Sequence, residues 1–201
     1  MKLLKKLLAA VTVTALALTM LTACGGDGKT TFTVVDYLND SAKMYGDNTT
    51  YKADTALDND AKNVAAFVKS TGAKSVDELE EKLNNDEALM ASFVKAAGVT
   101  AETKDKYFYQ VGCMVTDPKL TTDAAKDNFG LLQAEMLKES MNKVNVPESI
   151  KVYDSWGGEE HWYGAIDETK LDTTTSVGTA ELEVGGQKYL VAIFRTAVKS
   201  K

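Results

Sequence analysis

Apolar positions recur at helical spacing through residues 57–97 and at strand spacing in 107–116 and 150–198. Ala61, Val64, Ala65 and Val68 follow the i, i+3, i+4, i+7 rule and predict a helix over 57–70, with Gly72 as its stop. Ser75 followed by Glu78 has the form of a capping box, after which Val76, Leu79 and Leu83 face one way. Asn84-Asn85-Asp86 breaks that helix and caps a third, whose buried side is Leu89, Phe93, Ala96 and Ala97 and whose end is Gly98. The short connectors predict that these three helices fold back on one another. Residues 32–45 fit two patterns: a helical stripe of Val34, Tyr37, Leu38, Ser41 and Tyr45, or a strand-like start at 32–35. Residues 48–53 read as a turn or a short extended piece.

Residues 100–106 form a polar crossing. Residues 107–116, rich in aromatics and valine, predict a strand closed by Asp117-Pro118. Thr121 or Thr122 caps a long helix from about 122 to 143, with Ala125, Phe129, Leu132 and Met136 toward a core. Beyond Pro147 the chain reads as β. Residues 150–155 and 160–166 flank Gly157-Gly158, a two-residue hairpin signal. Residues 167–176 read as a threonine-rich loop. Residues 177–184 alternate, Gly185-Gly186 turns the chain, and 187–198, apolar on both faces, predicts an interior strand. The expected fold is therefore α+β: short N-terminal helices, a long helix and an antiparallel sheet of about five strands, with helices over one face. The element order loosely resembles the nuclear-transport-factor-like fold, a likeness of topology without a motif.

The start of the chain has a different pattern. Lys2, Lys5 and Lys6 precede an apolar run over residues 7–21, about fifteen residues against the roughly twenty that a spanning helix needs. Leu21-Thr22-Ala23-Cys24 closes the run and resembles the lipobox of bacterial lipoproteins. That resemblance implies a signal peptide over 1–23, cleavage before Cys24, a diacylglycerol on the Cys24 sulfur and a further acyl chain such as palmitate on its amine. Two or more chains hold stably where one does not. Residues 24–31 then form a flexible tether. Its seven residues after the cysteine reach at most about 25 Å, keeping a single domain over 32–201 near the membrane. Within that domain, 32–99 is the helical part and 100–201 the strand, helix and hairpins. Gly28-Lys29-Thr30 looks like the end of a phosphate-binding loop, but Ala23 stands where the motif needs glycine.

Without residues 1–23 the chain keeps 178 residues, enough for one core without staples. Its 20 basic side chains face 29 acidic ones, a formal charge of −9 that disfavours nucleic acid and anionic lipid as partners. The length is small for a two-lobed solute receptor. Cys24 and Cys113 are the two cysteines, so no internal disulfide forms once Cys24 carries lipid. Lysine outnumbers arginine overwhelmingly, Arg195 standing alone, which with the short leader suggests a Gram-positive host.

Candidate chemistry is densest at 153–163, which holds both tryptophans and the lone histidine. A turn at Gly157-Gly158 opposes Trp156 to Glu159, Asp154 to His161 and Tyr153 to Trp162. One face then carries Val152, Asp154, Trp156, Glu159, His161 and Tyr163. Tyr153, Asp154, Trp156, Glu159, His161, Trp162 and Tyr163 are thus the candidate binding residues. Flat aromatics stack on a sugar or a peptide and the acids orient it. The same residues also make a stable hairpin with an ordinary aromatic pair and a cross-strand ion pair. One imidazole among carboxylates is poor in the nitrogen and sulfur that zinc prefers, so no metal or other cofactor is expected. Cys113, His161 and Arg195 supply a thiol, a base and an oxyanion partner, the parts of a sortase-like transpeptidase. Sortases place the histidine before the cysteine. The order here resembles papain-like and cell-wall hydrolases, which put the cysteine at a helix start, whereas Cys113 lies in a strand candidate. The helical part carries a solvated charged face over 77–82. The segment 79–99 resembles helical segments of lipoprotein foldases, without a catalytic foldase domain beside it. The expected function is that of a lipid-anchored extracytoplasmic lipoprotein at the cell membrane, a non-enzymatic binding module for an envelope, peptide or glycan partner. The competing class is a thiol-dependent cell-wall hydrolase or transpeptidase.

Overall fold

The computed structural model describes residues 34–115, 143–156 and 159–200. The lipobox, the tether, the Gly157-Gly158 turn and the long helix expected near 122–143 lie outside the described residues. In chain order the elements are α1 (Val34–Met44), β1 (Thr50–Ala53), α2 (Thr55–Ser70), α3 (Val76–Asn85), α4 (Glu87–Ala96), β2 (Tyr107–Val115), β3 (Lys143–Asn145), β4 (Lys151–Trp156), β5 (Glu159–Ile166), β6 (Leu171–Val184) and β7 (Gln187–Val198). Single 3-10 turns at Glu148–Ile150 and Glu168–Lys170 precede β4 and β6.

The chain is α+β, with a five-stranded sheet in the order β1-β6-β7-β2-β3 and a separate two-stranded sheet of β4 and β5. The large sheet is mixed, which corrects the expectation of an antiparallel one. β1 enters beside β6 in parallel, Thr50 opposite Thr174 and Ala53 opposite Val177, while β7 pairs antiparallel with both β6 and β2. Helix α2 leaves directly from β1, so the helical and strand parts of the sequence share one sheet. The expected threonine-rich loop over 167–176 is also corrected. From Leu171 onward it is strand, because β-branched threonine suits a pleated backbone and Thr175 has Thr196 to pair with. A register shift between Leu171 and Thr175 marks where the new strand settles into the ladder. β7 lies in the interior of the sheet, as its apolar faces predict.

The helices start where the sequence provides caps. Asp54 Oδ1 accepts from Ala56 N at 2.9 Å, Ser75 Oγ from Glu78 N at 3.1 Å and Asp86 Oδ1 from Leu89 N at 2.9 Å. Glu78 reaches back to Lys74 N, 2.9 Å away, rather than to the serine amide of a standard capping box. Residues 34–44 resolve as helix, with Val34, Leu38 and Ala42 buried and Tyr45 exposed. Asn39 on α1 then closes the open edge of β1. Its carboxamide donates to Tyr51 O at 2.9 Å and accepts from Tyr51 N at 2.8 Å, standing in for a neighbouring strand.

Two faces of the large sheet follow from register. Tyr109, Val111, Val191 and Ile193 turn toward α2, α3 and α4 and join Leu57, Val64, Leu79, Leu83 and Phe93 in the main core. α2 reaches this face at Gly178, where a β-carbon would overlap the Leu57 carbonyl carbon and the Asp58 nitrogen. Past the end of β1 the helix continues the β6 ladder itself. Asp54 N donates to Val177 O at 2.9 Å, and Asp58 Oδ1 accepts from Thr179 N at 2.8 Å. The opposite face carries Phe108, Gln110, Phe194, Thr175 and Thr196.

Candidate functional site

The opposite face of the sheet floors a cavity of about 300 Å³. Its position follows from two neighbouring rows of the register. Phe108, Thr196 and Thr175 lie abreast on β2, β7 and β6, and Gln110 lies one row further, opposite Phe194. The Thr175 and Thr196 hydroxyls are hydrogen bonded to each other at 2.9 Å. Gln110 is 8% exposed, and among the described residues no group hydrogen bonds to its carboxamide. Its carboxamide atoms are not among the fully buried unpaired groups and open on the cavity.

Among the described residues the cavity wall comes from three segments and Lys199. The loop between α1 and β1 brings Asp47, Asn48 and Thr49. The end of β5 and the 3-10 turn bring Ile166 and Glu168, and the start of β6 brings Leu171, Asp172 and Thr173. Lys199 adds a cation from beyond β7. Asp47 Oδ1 accepts from both the backbone and the hydroxyl of Thr49, at 2.9 and 2.8 Å, and so locks the loop that forms one side. Asp172 Oδ1 similarly accepts from Thr174 N at 3.2 Å. Burial drives the Tyr51 phenol far above its ordinary range, with the Asp47 charge adding to the shift. A second cleft of about 470 Å³ lies at the β6–β7 turn beside α2. Its charged lining, Lys69, Glu181, Glu183 and Lys188, is exposed.

The β4–β5 hairpin has the register that a two-residue turn predicts: Trp156 opposite Glu159, Asp154 opposite His161, Tyr153 opposite Trp162. On one face the side chains are engaged with one another. Trp162 donates its indole N–H to Ala165 O at 2.7 Å, and Lys151 Nζ stands 4.8 Å above its ring. Lys151 also meets Glu148 at 2.8 Å, and the Tyr153 hydroxyl donates to the same carboxylate. Hydrogen bonds from Lys151 and then Tyr153 hold the Glu148 carboxyl below its ordinary range, and the Glu148 bond raises both the Lys151 and the Tyr153 pKa. On the other face His161 Nε2 lies 3.9 Å from Glu159, and Asp154 is exposed. Val152 and Tyr153 are 41% and 37% exposed. The Trp156 and Tyr163 side chains lie outside the described residues. None of the five candidate residues whose side chains are described, Tyr153, Asp154, Glu159, His161 and Trp162, lines the cavity; Ile166, at the far end of β5, does.

Cys113 sits on β2 opposite Val191, and its side chain lies outside the described residues. His161 is in the other sheet. Arg195 is turned to the helical face, where it donates to Asp54 Oδ2 at 2.6 Å and stacks 5.1 Å over Tyr107. The arrangement therefore brings Arg195 to the cap of α2. Among the described residues no group of three His, Cys, Asp or Glu side chains is placed to hold a metal ion.

The cavity residues were missed in the sequence. The available signal was Gln110, a lone amide inside an aromatic and aliphatic strand, together with the threonine run at 173–175. No family model matches the chain, and neither a curated protein nor a solved structure matches it, so the nuclear-transport-factor-like resemblance is not confirmed.

The Arg195 cluster gives a pH test. Burial raises the Asp60 carboxyl above its ordinary value, Arg195 pulls it back and Asp54 pushes it up further. The folded chain therefore holds this proton more tightly than the unfolded chain. The stability it contributes is complete below the ordinary carboxylate pKa and is lost as pH rises through the raised folded value. Asp60→Asn removes the cost of ionisation, so its Tm exceeds wild type at pH 7 and the gain shrinks toward pH 4. A Tm lowered at pH 7 contradicts this assignment.

Proposed function

We propose that the chain is a lipid-anchored extracytoplasmic lipoprotein of the cell membrane whose folded domain is a non-enzymatic binding module. The anchor half of this reading is supported by the basic leader, the short apolar run and Leu21-Thr22-Ala23-Cys24. The binding half is supported by one observation above the others: a cavity of about 300 Å³ with the Gln110 carboxamide, unpartnered among the described residues, in its floor. A site of that size takes a small polar molecule, or one sugar unit or side chain of a larger envelope, peptide or glycan partner. The hydroxyls of Thr175 and Thr196 supply further donors and acceptors, and Phe108, Ile166 and Leu171 supply apolar wall.

The β4–β5 hairpin has the weaker claim to direct contact. The Trp162 indole N–H has its acceptor within the hairpin, and a lysine covers the ring. Its role in this reading is to carry Ile166 and the turn after it to the cavity wall.

Each half has its own experiment. Cys24→Ser is expected to move the protein from the membrane fraction to the soluble one and to abolish incorporation of labelled fatty acid. Membrane retention with the label intact contradicts the anchor. For the binding half, full-length protein in detergent is screened by NMR against a set of cationic, neutral and anionic polar fragments. Shifts are expected to concentrate on Phe108, Gln110, Thr175 and Thr196, and to disappear in Gln110→Leu. Hits that cluster elsewhere, or that survive Gln110→Leu unchanged, contradict the cavity as the site.

A further inference from the structure

The charges around the cavity are unequal. Among the described residues, Asp47, Glu168 and Asp172 contribute three carboxylates to its wall, and Lys199 is the one cationic side chain there. Lys199 Nζ is already bonded to Thr169 O at 2.9 Å. Asp47 and Asp172 each commit Oδ1 to a local turn, and among the described residues nothing hydrogen bonds to their Oδ2 atoms. Gln110, nine-tenths buried as a residue, opens its carboxamide on the same space without a partner among the described residues. A carboxylate-rich wall repels anions and attracts cations. The amide in the floor offers both a donor and an acceptor to an organic ligand. The apolar side chains Phe108, Ile166 and Leu171 match a short hydrocarbon segment better than a hydrated metal ion.

We infer that the cavity takes a small organic cation, an alkylammonium group presented to the Asp47 and Asp172 carboxylates with its polar end on Gln110. This rests on the binding-module reading above and narrows it. The ammonium arrives either as a free amine or as the side chain of a lysine-bearing peptide; the chemistry recognised is the same. The negative charge of the whole chain favours its approach.

The test uses three probes of matched length: 1,4-diaminobutane, 1,4-butanediol and succinate. Each is titrated into the full-length protein in detergent, following the Gln110 side-chain amide by NMR. Diaminobutane is expected to shift that signal, with affinity falling several-fold as salt screens the carboxylates between about 20 and 200 mM. Asp47→Asn and Asp172→Asn keep the turn-forming carbonyl oxygen and remove the charge; each is expected to weaken binding about three- to tenfold. Succinate is expected to leave the signal unmoved. A second titration with Nα-acetyl-lysine amide, which keeps only the side-chain ammonium, and Nα,Nε-diacetyl-lysine amide, which lacks it, separates the sources: binding of the first alone admits lysine side chains, and binding of neither restricts the site to free amines. Butanediol binding as well as diaminobutane, without salt dependence, overturns the cation inference and leaves the binding cavity standing. A Gln110 signal that none of the three probes moves overturns the inference, and it counts against the cavity as well if the fragment screen is also empty there.

Discussion

The first turn of α2 rests backbone against backbone on β6 at Gly178, with no side chain between them. A close approach of this kind needs glycine on the strand, since any β-carbon there collides with helix backbone that has nowhere to move. The surrounding hydrogen bonds hold the helix in place. The amide of Asp54 and the carboxylate of Asp58 take up β6 groups on either side of Gly178, so the helix completes the edge that β1 leaves short. Asp54 divides its carboxylate between the α2 cap and Arg195 on β7, a charge-assisted bond at 2.6 Å. One residue thus ties β1, α2, β6 and β7 together.

That seat decides what each face of the sheet does. The helical face is filled by Leu57, Ala61, Val64 and Val68 of α2 and the apolar stripes of α3 and α4, leaving little room for chemistry. Arg195 points there and serves architecture. The other face keeps polar groups at its centre, because Phe108, Gln110, Thr175 and Thr196 fall on it by the parity of their strands. The cavity is the consequence: the sheet provides the floor, and, among the described residues, loops and strand ends from separate parts of the chain provide the wall.

Local rules explain which parts were readable from sequence. The caps at Ser75 and Asp86, the stripes of α2, α3 and α4 and the register of the β4–β5 hairpin depend on residues within a few positions of one another. The parallel pairing of β1 with β6 joins residues more than 120 positions apart through a strand of four residues, and no local pattern encodes it. The threonines at 173–175 combine polarity typical of loops with the β-branching of strands, and a distant partner, Thr196, decides between them. The cavity was hidden for the same reason. Asp47, Gln110, Asp172 and Thr196 stand on four separate segments, and only Gln110, an amide in an apolar strand, broke its local pattern. The 153–163 cluster attracted notice because its chemistry is contiguous in sequence, yet in the fold Tyr153, Trp162, Lys151 and Glu148 largely satisfy one another.

The seat at Gly178 is the constraint from which the rest follows, and thermal unfolding of Gly178→Ala measures it directly. One methyl group, placed where helix backbone already stands, is expected to cost about 3 kcal/mol or more, lowering Tm by about 6–12 °C in a domain of this size. Unfolding within about 1 °C of wild type would mean that α2 is free to lift from β6, and the account of the fold built on that contact would be wrong.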